Sequence, residues 1–204
     1  MEALATLGGL FGLAMMSGIR LYSTVLAVGL GIRYQVLDVP APLAHLDVLA
    51  ETPVLVIAGM VYTIEFLADK IPLVDSLWDL VHTFIRPVGA ALLAAAAIGP
   101  IDPVVKVAVA LACGLVAFSG HSAKAGTRAV VNQSPEPFSN IGLSLGEDVL
   151  VVGGVWLALN HPIVAFVLVI IAVALIVWLV PKLFGLLRRQ FTAVWRFATG
   201  QPRA

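Results

Sequence analysis

The chain reads as an all-α polytopic membrane protein of about six transmembrane helices. Three observations point there. It is 60% apolar and only 12% charged over 204 residues, where a soluble domain is about 45–50% apolar and about 25% charged. Its mean hydropathy is +1.02. Its long Ala/Val/Leu/Ile runs lack the period-two alternation of a transmembrane barrel. Net charge is zero, so bulk charge implies no nucleic-acid partner. The single Cys113 excludes an internal disulfide framework. The start of the chain carries Glu2 and no basic cluster, so it reads as a retained first helix rather than a signal peptide.

In chain order, Ala3 to about Ile32 is apolar but interrupted at Ser17-Gly18-Ile19-Arg20, and is too long for one crossing of ~20 residues. Either it tilts or it breaks near Ser17-Gly18. Residues 34–52 form a polar loop on the way to a second span, Pro53 to about Ala68, with Pro53 suited to a first helical turn. A turn at Lys70-Ile71-Pro72 leads into a charged stretch and the Ala-rich span 88–98. Gly99–Pro103 is a linker. Val104–Ser119 is the fourth span, with a second polar interruption at Gly120–Arg128. A Pro/Asn/Ser loop at 132–140 precedes the fifth span, 141–159. A turn at Asn160-His161-Pro162 precedes the sixth, 163–180, which Pro181 is expected to end.

The tail holds Lys182, Arg188, Arg189, Arg196 and Arg203 with no acid, and belongs in the cytoplasm by the positive-inside rule. Six crossings then place both termini there, in an inner membrane. Phe184, Leu187, Phe191, Val194 and Trp195 interleave with the arginines, a pattern suited to a helix lying on the inner leaflet.

The two halves resemble each other. Gly12-Leu13, Ser17-Gly18 and Ala27 recur as Gly114-Leu115, Ser119-Gly120 and Ala129 at one constant offset. The order of parts also recurs, which suggests residues 1–100 and 101–181 as two inverted three-helix repeats, each opening with an interrupted helix, followed by a basic amphipathic tail at 182–204. Inverted repeats with broken helices are frequent in secondary transporters, which bind substrate at the repeat interface. Chance recurrence of small apolar residues is the alternative.

Three stretches, Ser-Gly-Ile-Arg-Leu-Tyr (17–22), Phe-Leu-Ala-Asp-Lys-Ile-Pro (66–72) with Asp75, Asp79, His82-Thr83 and Arg86-Pro87, and Lys-Ala-Gly-Thr-Arg-Ala-Val-Val-Asn-Gln-Ser-Pro-Glu-Pro-Phe-Ser-Asn (124–140), resemble a bacterial inner-membrane family known as domain of unknown function four-one-two-six. The resemblance covers about residues 5–185. It implies a polytopic inner-membrane protein and carries no activity or site residues.

Chemistry concentrates in a few places. At 100° per residue, Asp75, Asp79, His82 and Arg86 fall within a stripe of about 60° on one helix face. Such a stripe avoids lipid, so it is expected to face an interior as a proton or cation path. A charged helix edge touching water is the bland alternative. Glu65 and Asp69 share a second face, and a buried Glu65 needs a basic partner or a proton; Arg20, Lys70, Lys124 and Arg128 are the candidates, and a structural ion pair is the alternative. Arg20 and the pair Lys124/Arg128 follow the two Ser-Gly sites. If helices break there, free N–H groups beside basic side chains suit phosphate or carboxylate; snorkelling and positive-inside anchoring are the alternatives. Glu147 and Asp148 point about 100° apart, so at most one is expected to line a cavity shared with the stripe, and Ser144 shares the face of Glu147. His45, His121 and His161 look scattered.

No P-loop, G-x-G-x-x-G, H-E-x-x-H, C-x-x-C or G-x-S-x-G motif occurs, so neither an enzyme nor a cofactor is expected. The leading expectation is a small secondary transporter or lipid-carrier flippase for an anionic solute or lipid head group. Arg20, Arg86, Lys124 and Arg128 would bind the anion, and Glu65, Asp69, Asp75, Asp79, His82 and Glu147 would couple protons or a cation. A divalent-cation transporter or channel with the carboxylates and His82 as ligands is one alternative, and a non-transporting scaffold is another. Small-residue faces at Gly153-Gly154 and Gly89–Ala97 would permit a homodimer.

Overall fold

The structure is a computed structural model that describes residues 2–132 and 137–199, with side chains at all of these except 72, 137, 183–184 and 186–199. Every regular element is helical: α1 Glu2–Ile19, α2 Leu21–Arg33, a 3-10 segment Ala41–Ala50, α3 Thr52–Ala68, α4 Pro72–Ala97, α5 Pro103–Val131, α6 Pro137–Asn160 and α7 Pro162–Thr199. Among the described residues five helices are long and apolar enough to cross a membrane, and a sixth candidate is the 3-10 segment joined to α3 across a bend of 73°. Leu77, Leu80, Phe84, Val104, Leu111, Leu115, Val149 and Val177 stand exposed around the outside. Outward apolar surface of this extent is at equilibrium in lipid, not in water.

The helices start where local chemistry lets them. Pro53 and the Pro at position 103 stand in the first turns of α3 and α5, where a missing N–H costs nothing. Asp102 caps α5 by accepting from the backbone N–H groups of Val104 and Val105 at 2.9 and 3.2 Å. α4 runs through Pro87, so the charged stripe and the Ala-rich span form a single 26-residue helix.

α1 and α2 do not make one long crossing. Arg20 alone is extended between them, with φ −148° and ψ 97°, and there the chain turns back. α6 supplies the ruler. Arg20 meets Glu147 and Asp148 on α6. Going backward along α1, Met16 packs on Gly154, Gly12 on Ala158 and Gly8 on Pro162. Going forward along α2 the chain reaches Asp38, whose N–H donates to the Asn160 side chain at 3.3 Å. Both helices therefore run from Arg20 to the same end of α6, and α1–α2 is a re-entrant hairpin with Arg20 at its tip. Arg33 bonds Thr52 at the start of α3, and Glu2, His45, Ile98 and Ile101 line one surface hollow. These mark a first membrane face. The turn at 69–71, the end of α5 and the start of α6 mark the second.

Several expectations change here. The two Ser-Gly sites are not helix breaks. α5 is continuous from Pro103 to Val131, so the second half does not open with an interrupted helix, and the break in the first half falls at Arg20. Gly18 and Gly120 are instead where α1 and α5 cross: a Cβ on Gly18 would run into the Ala117 carbonyl, and one on Gly120 would stand 2.8 Å from the Met15 carbonyl oxygen and 3.6 Å from Gly18 Cα. The recurrent Gly marks close helix approach. Pro181 does not end α7, which continues to Thr199. The 132–140 loop is shorter than expected, since α6 begins at Pro137. The small-residue faces are partly used inside the chain: Gly89 packs on Leu21 and Gly154 on Met16. The outward pattern of Phe184, Leu187, Arg188, Arg189, Phe191, Val194, Trp195, Arg196 and Arg203 lies outside the described side chains.

In a variant with Cys113 replaced by Ser, single cysteines at Ala3 and Asp38 are expected to react with an impermeant thiol reagent from one face of sealed vesicles, and one at Ile71 from the other. Labelling of Ala3→Cys and Ile71→Cys from the same face would refute the hairpin.

Candidate functional site: a buried charge network

The core is apolar toward the first face, where Leu10, Leu13, Val28, Leu43, Leu46 and Val155 pack together, and ionic toward the second. Arg20, Glu65, Asp69, Asp75 and Arg86 are 0% exposed; Asp79, His82, His121, Lys124, Arg128 and Glu147 are buried as well. The stripe on α4 is real: Asp75, Asp79, His82 and Arg86 all face inward, while Leu77, Leu80, Val81 and Phe84 face outward. The residues expected to bind the anion (Arg20, Arg86, Lys124 and Arg128) and those expected to couple protons or a cation (Glu65, Asp69, Asp75, Asp79, His82 and Glu147) all lie in this one region.

Three guanidinium groups hold it together. At the hairpin tip, Arg20 pairs closely with Asp69, donates from Nε to Glu147 Oε2 at 3.2 Å and from Nη2 to Ser144 Oγ at 2.7 Å, and places Nη1 3.2 Å from Asp148 Oδ1. Arg128, in the last turn of α5, grips Glu147 with two bonds, Nε–Oε1 at 3.0 Å and Nη2–Oε2 at 2.9 Å. It also donates to the Asp69 carbonyl at 3.2 Å and stands 3.8 Å from Asp75. Asp75 in turn accepts from Asn132 at 2.9 Å. Deeper along α4, Arg86 donates to Glu65 at 2.7 Å, to Asp79 at 3.1 Å and to His121 Nδ1 at 2.7 Å. A guanidinium can only donate, so His121 carries its proton on Nε2. From there it donates to Thr83 Oγ1 at 2.9 Å, and Thr83 donates to the Asp79 carbonyl at 2.9 Å.

The fourth cation behaves differently. Lys124 Nζ lies among Asp69 at 3.6 Å, Glu147 at 3.6 Å, Asp79 at 3.7 Å and Glu65 at 3.9 Å. It is buried and makes no hydrogen bond to any of them. Its ammonium is held by a cage of four carboxylates from α4, α6 and the α3 end, none of which has closed on it. Lys70, by contrast, turns away, with Nζ 3.4 Å over the Phe66 ring. Six carboxylates (Glu65, Asp69, Asp75, Asp79, Glu147 and Asp148) thus surround four cations.

His82 sits at the edge. Its Nδ1 donates to the Trp78 carbonyl at 2.8 Å, its ring stacks on Trp78, and its Nε2 faces the Tyr22 hydroxyl at 3.4 Å. Among the described residues no three His, Cys, Asp or Glu side chains are placed to hold a metal ion.

A cavity of about 450 Å³ abuts the network between α1, α5, α6 and α7. Lys124 and Glu147 are the charged groups in its wall, and Met16, Leu150, Leu157, Val169 and Ile176 line much of the rest.

Some pairings differ from expectation. The main partner of Glu65 is Arg86, which was not among the four candidates, because α4 delivers it beside the α3 end. Acidic and basic groups interleave throughout the network. Lys124 and Arg128 do not sit at a helix N-terminus, since α5 is unbroken. Glu147 and Asp148 both join the network, because the fork of Arg20 reaches two adjacent carboxylates; only Glu147 lines the cavity. His121, Ser144, Thr83 and Asp148 complete the site. The sequence carried one usable signal for His121: it lies three residues before Lys124 and seven before Arg128, on the same helix face. His45 packs near Gly99, and His161 packs edge-on to Trp156.

Fold and site together define a polytopic helical membrane protein with a re-entrant hairpin and a buried ionic centre. The profile of the family described as a domain of unknown function, DUF4126, matches residues 7–182, and the chain belongs to that family. No curated protein and no solved structure matches it.

Removing one member of a buried ion pair leaves its partner uncompensated and costs about 3–5 kcal/mol. Arg86→Met, which strands Glu65, Asp79 and His121, is expected to lose stability on that scale in equilibrium unfolding in mixed micelles. Arg33→Gln, at an exposed contact with Thr52, is expected to lose no more than about 1 kcal/mol.

Proposed function

We propose that the protein is a small secondary transporter that moves an anionic substrate coupled to protons, in a bacterial inner membrane with the tail beyond Lys182 in the cytoplasm. The observation that carries this reading is Lys124: a buried ammonium at the end of a cavity, caged by four carboxylates and hydrogen-bonded to none. An anion entering the cavity meets an unclosed cation and competes with Glu147 for it. Intramembrane ionisable groups are costly and mark substrate or proton paths.

The surplus of carboxylates over cations supports the coupling. Six acids stand against four buried bases and Lys70, which faces Asp69 and Asp148 electrostatically, so acids outnumber bases in a region of low dielectric, where the excess is met by protons or by a bound cation. The acids also form a track. Asp75 beside Asn132 lies near the second face; Asp69 and Glu147 come next; Asp79 and Glu65 lie deeper, by Arg86. Arg86 is fourteen residues into α4, about 21 Å along its axis. His121, Thr83 and the His82–Tyr22 contact continue the polar path. Arg20, at the tip of a hairpin held by one extended residue, is placed to move when its carboxylate partners change charge.

A divalent-cation carrier draws less support, because among the described residues no three His, Cys, Asp or Glu side chains are placed to hold a metal ion. A pure scaffold calls for tight packing around the stripe, whereas the cavity reaches Lys124.

The test uses proteoliposomes containing a pH-sensitive dye and a panel of anion gradients, including phosphate, dicarboxylates and anionic lipids. At least one gradient is expected to move protons, and Lys124→Met and Glu147→Gln are expected to abolish the response. Arg20→Gln and Glu65→Gln proteins that fold normally and carry every anion at the unmodified rate would overturn the proposal.

A further inference from the structure

We infer that the substrate of this site is a single-chain anionic amphiphile, a phosphate or carboxylate head on one long apolar tail, which enters sideways from the bilayer between α6 and α7. The inference rests on the transport reading above and narrows its substrate class.

The shape of the cavity carries it. Its lining on α6 runs from Leu143 to Leu157, fourteen residues or about 21 Å of helix. The cavity of about 450 Å³ is drawn out along that length between α1, α5, α6 and α7, an elongated groove that suits an extended hydrocarbon chain. A compact solute such as a dicarboxylate would leave most of it empty, and an empty apolar slot forfeits packing along its whole length.

The lining chemistry is divided in the way an amphiphile requires. Lys124 and Glu147 are the charged groups, with Thr127 beside them; the rest is Gly, Ala, Val, Leu, Ile and Met. Lys124 is 4% exposed and its Nζ lacks a hydrogen-bond partner, so one buried donor is left for a head-group oxygen. Toward the first face the slot is wholly apolar, ending by Gly12 and Ala165. The flank is open: Leu150 on α6 and Leu168 on α7 line the slot yet are 53% and 48% exposed, on the surface that meets lipid. At the second-face end of the network, among the described residues, Asp69, Asp75, Arg128 and Asn132 are paired with one another.

Bound this way, a head-group oxygen accepts from Lys124 Nζ and displaces Glu147 Oε2 from its 3.6 Å approach. Glu147 keeps its two bonds to Arg128. The tail lies along Met16, Leu157 and Val169 in place of bilayer lipid. Head recognition and proton coupling then share one carboxylate.

The experiment measures binding to the full chain in nanodiscs of zwitterionic lipid, by displacement of a fluorescent fatty acid. The probes are dodecyl phosphate, a saturated fatty acid, dodecanol and inorganic phosphate. The two anionic amphiphiles are expected to compete at one site at least tenfold more tightly than dodecanol, and inorganic phosphate is expected not to compete. Lys124→Met is expected to bring the anionic amphiphiles down to the level of the alcohol. Ala172→Phe, which fills the slot away from the charges, is expected to weaken both amphiphiles at least tenfold with an unchanged melting temperature, and serves if Lys124→Met does not fold. Competition by inorganic phosphate, or full binding to Ala172→Phe, overturns the amphiphile while leaving an anion transporter standing. No binding of any anion, together with no proton movement in the vesicle assay, overturns both.

Discussion

Everything in this structure bends around the need to pair Arg20. A guanidinium at the end of a hairpin inside the membrane has no water to solvate it, and an unpaired ion there is among the costliest groups a fold can carry. It is paired by Asp69 from the α3 end and by Glu147 and Asp148 from α6. Those acids bring in Arg128 and Lys124 from α5, and Lys124 brings in Asp79 and Glu65, which require Arg86. The helices α2 to α6 are tied by this chain of obligations, while α1 and α7 are held mainly by apolar packing.

The distribution of polar and apolar binding has a mechanical consequence. The first-face half of the bundle is a packed apolar core with close Gly contacts, such as Gly18 against Ala117. Interiors of that kind resist continuous deformation. The second-face half is an ionic lattice whose bonds depend on charge. The single extended residue at Arg20 is the joint between the two regimes, and the cavity beside Lys124 lies against it.

The sequence also shows why pattern matching has limits in such proteins. The recurrence of Ser17-Gly18 as Ser119-Gly120 is a true signal with a different meaning from the one it suggests. Small residues serve both breaks and crossings, and one sequence cannot separate the two uses. Here the two motifs touch each other. Likewise Glu147-Asp148 looks like a pair that must split between faces, and it does so only in direction; the span of an arginine fork closes the gap. Arg86 was legible as a member of the stripe but not as the partner of Glu65, because that pairing depends on how α3 and α4 lie across the turn at Asp69-Lys70-Ile71.

Composition and periodicity alone determined that the chain is a helical membrane protein and that α4 carries one polar stripe, and they marked the scarce charges at Arg20, Glu65, Asp69, Lys124, Arg128 and Glu147 as candidates for an interior. Those conclusions follow from the cost of placing charge against lipid, which acts on each helix separately. Tertiary structure decided which charge meets which, that the first long apolar stretch folds back at Arg20, that His121 and Asp148 join the centre, and that Lys124 is left without a hydrogen bond beside an apolar slot. These depend on the relative placement of helices far apart in sequence, as with Arg20 and Glu147, and no local periodicity encodes that distance.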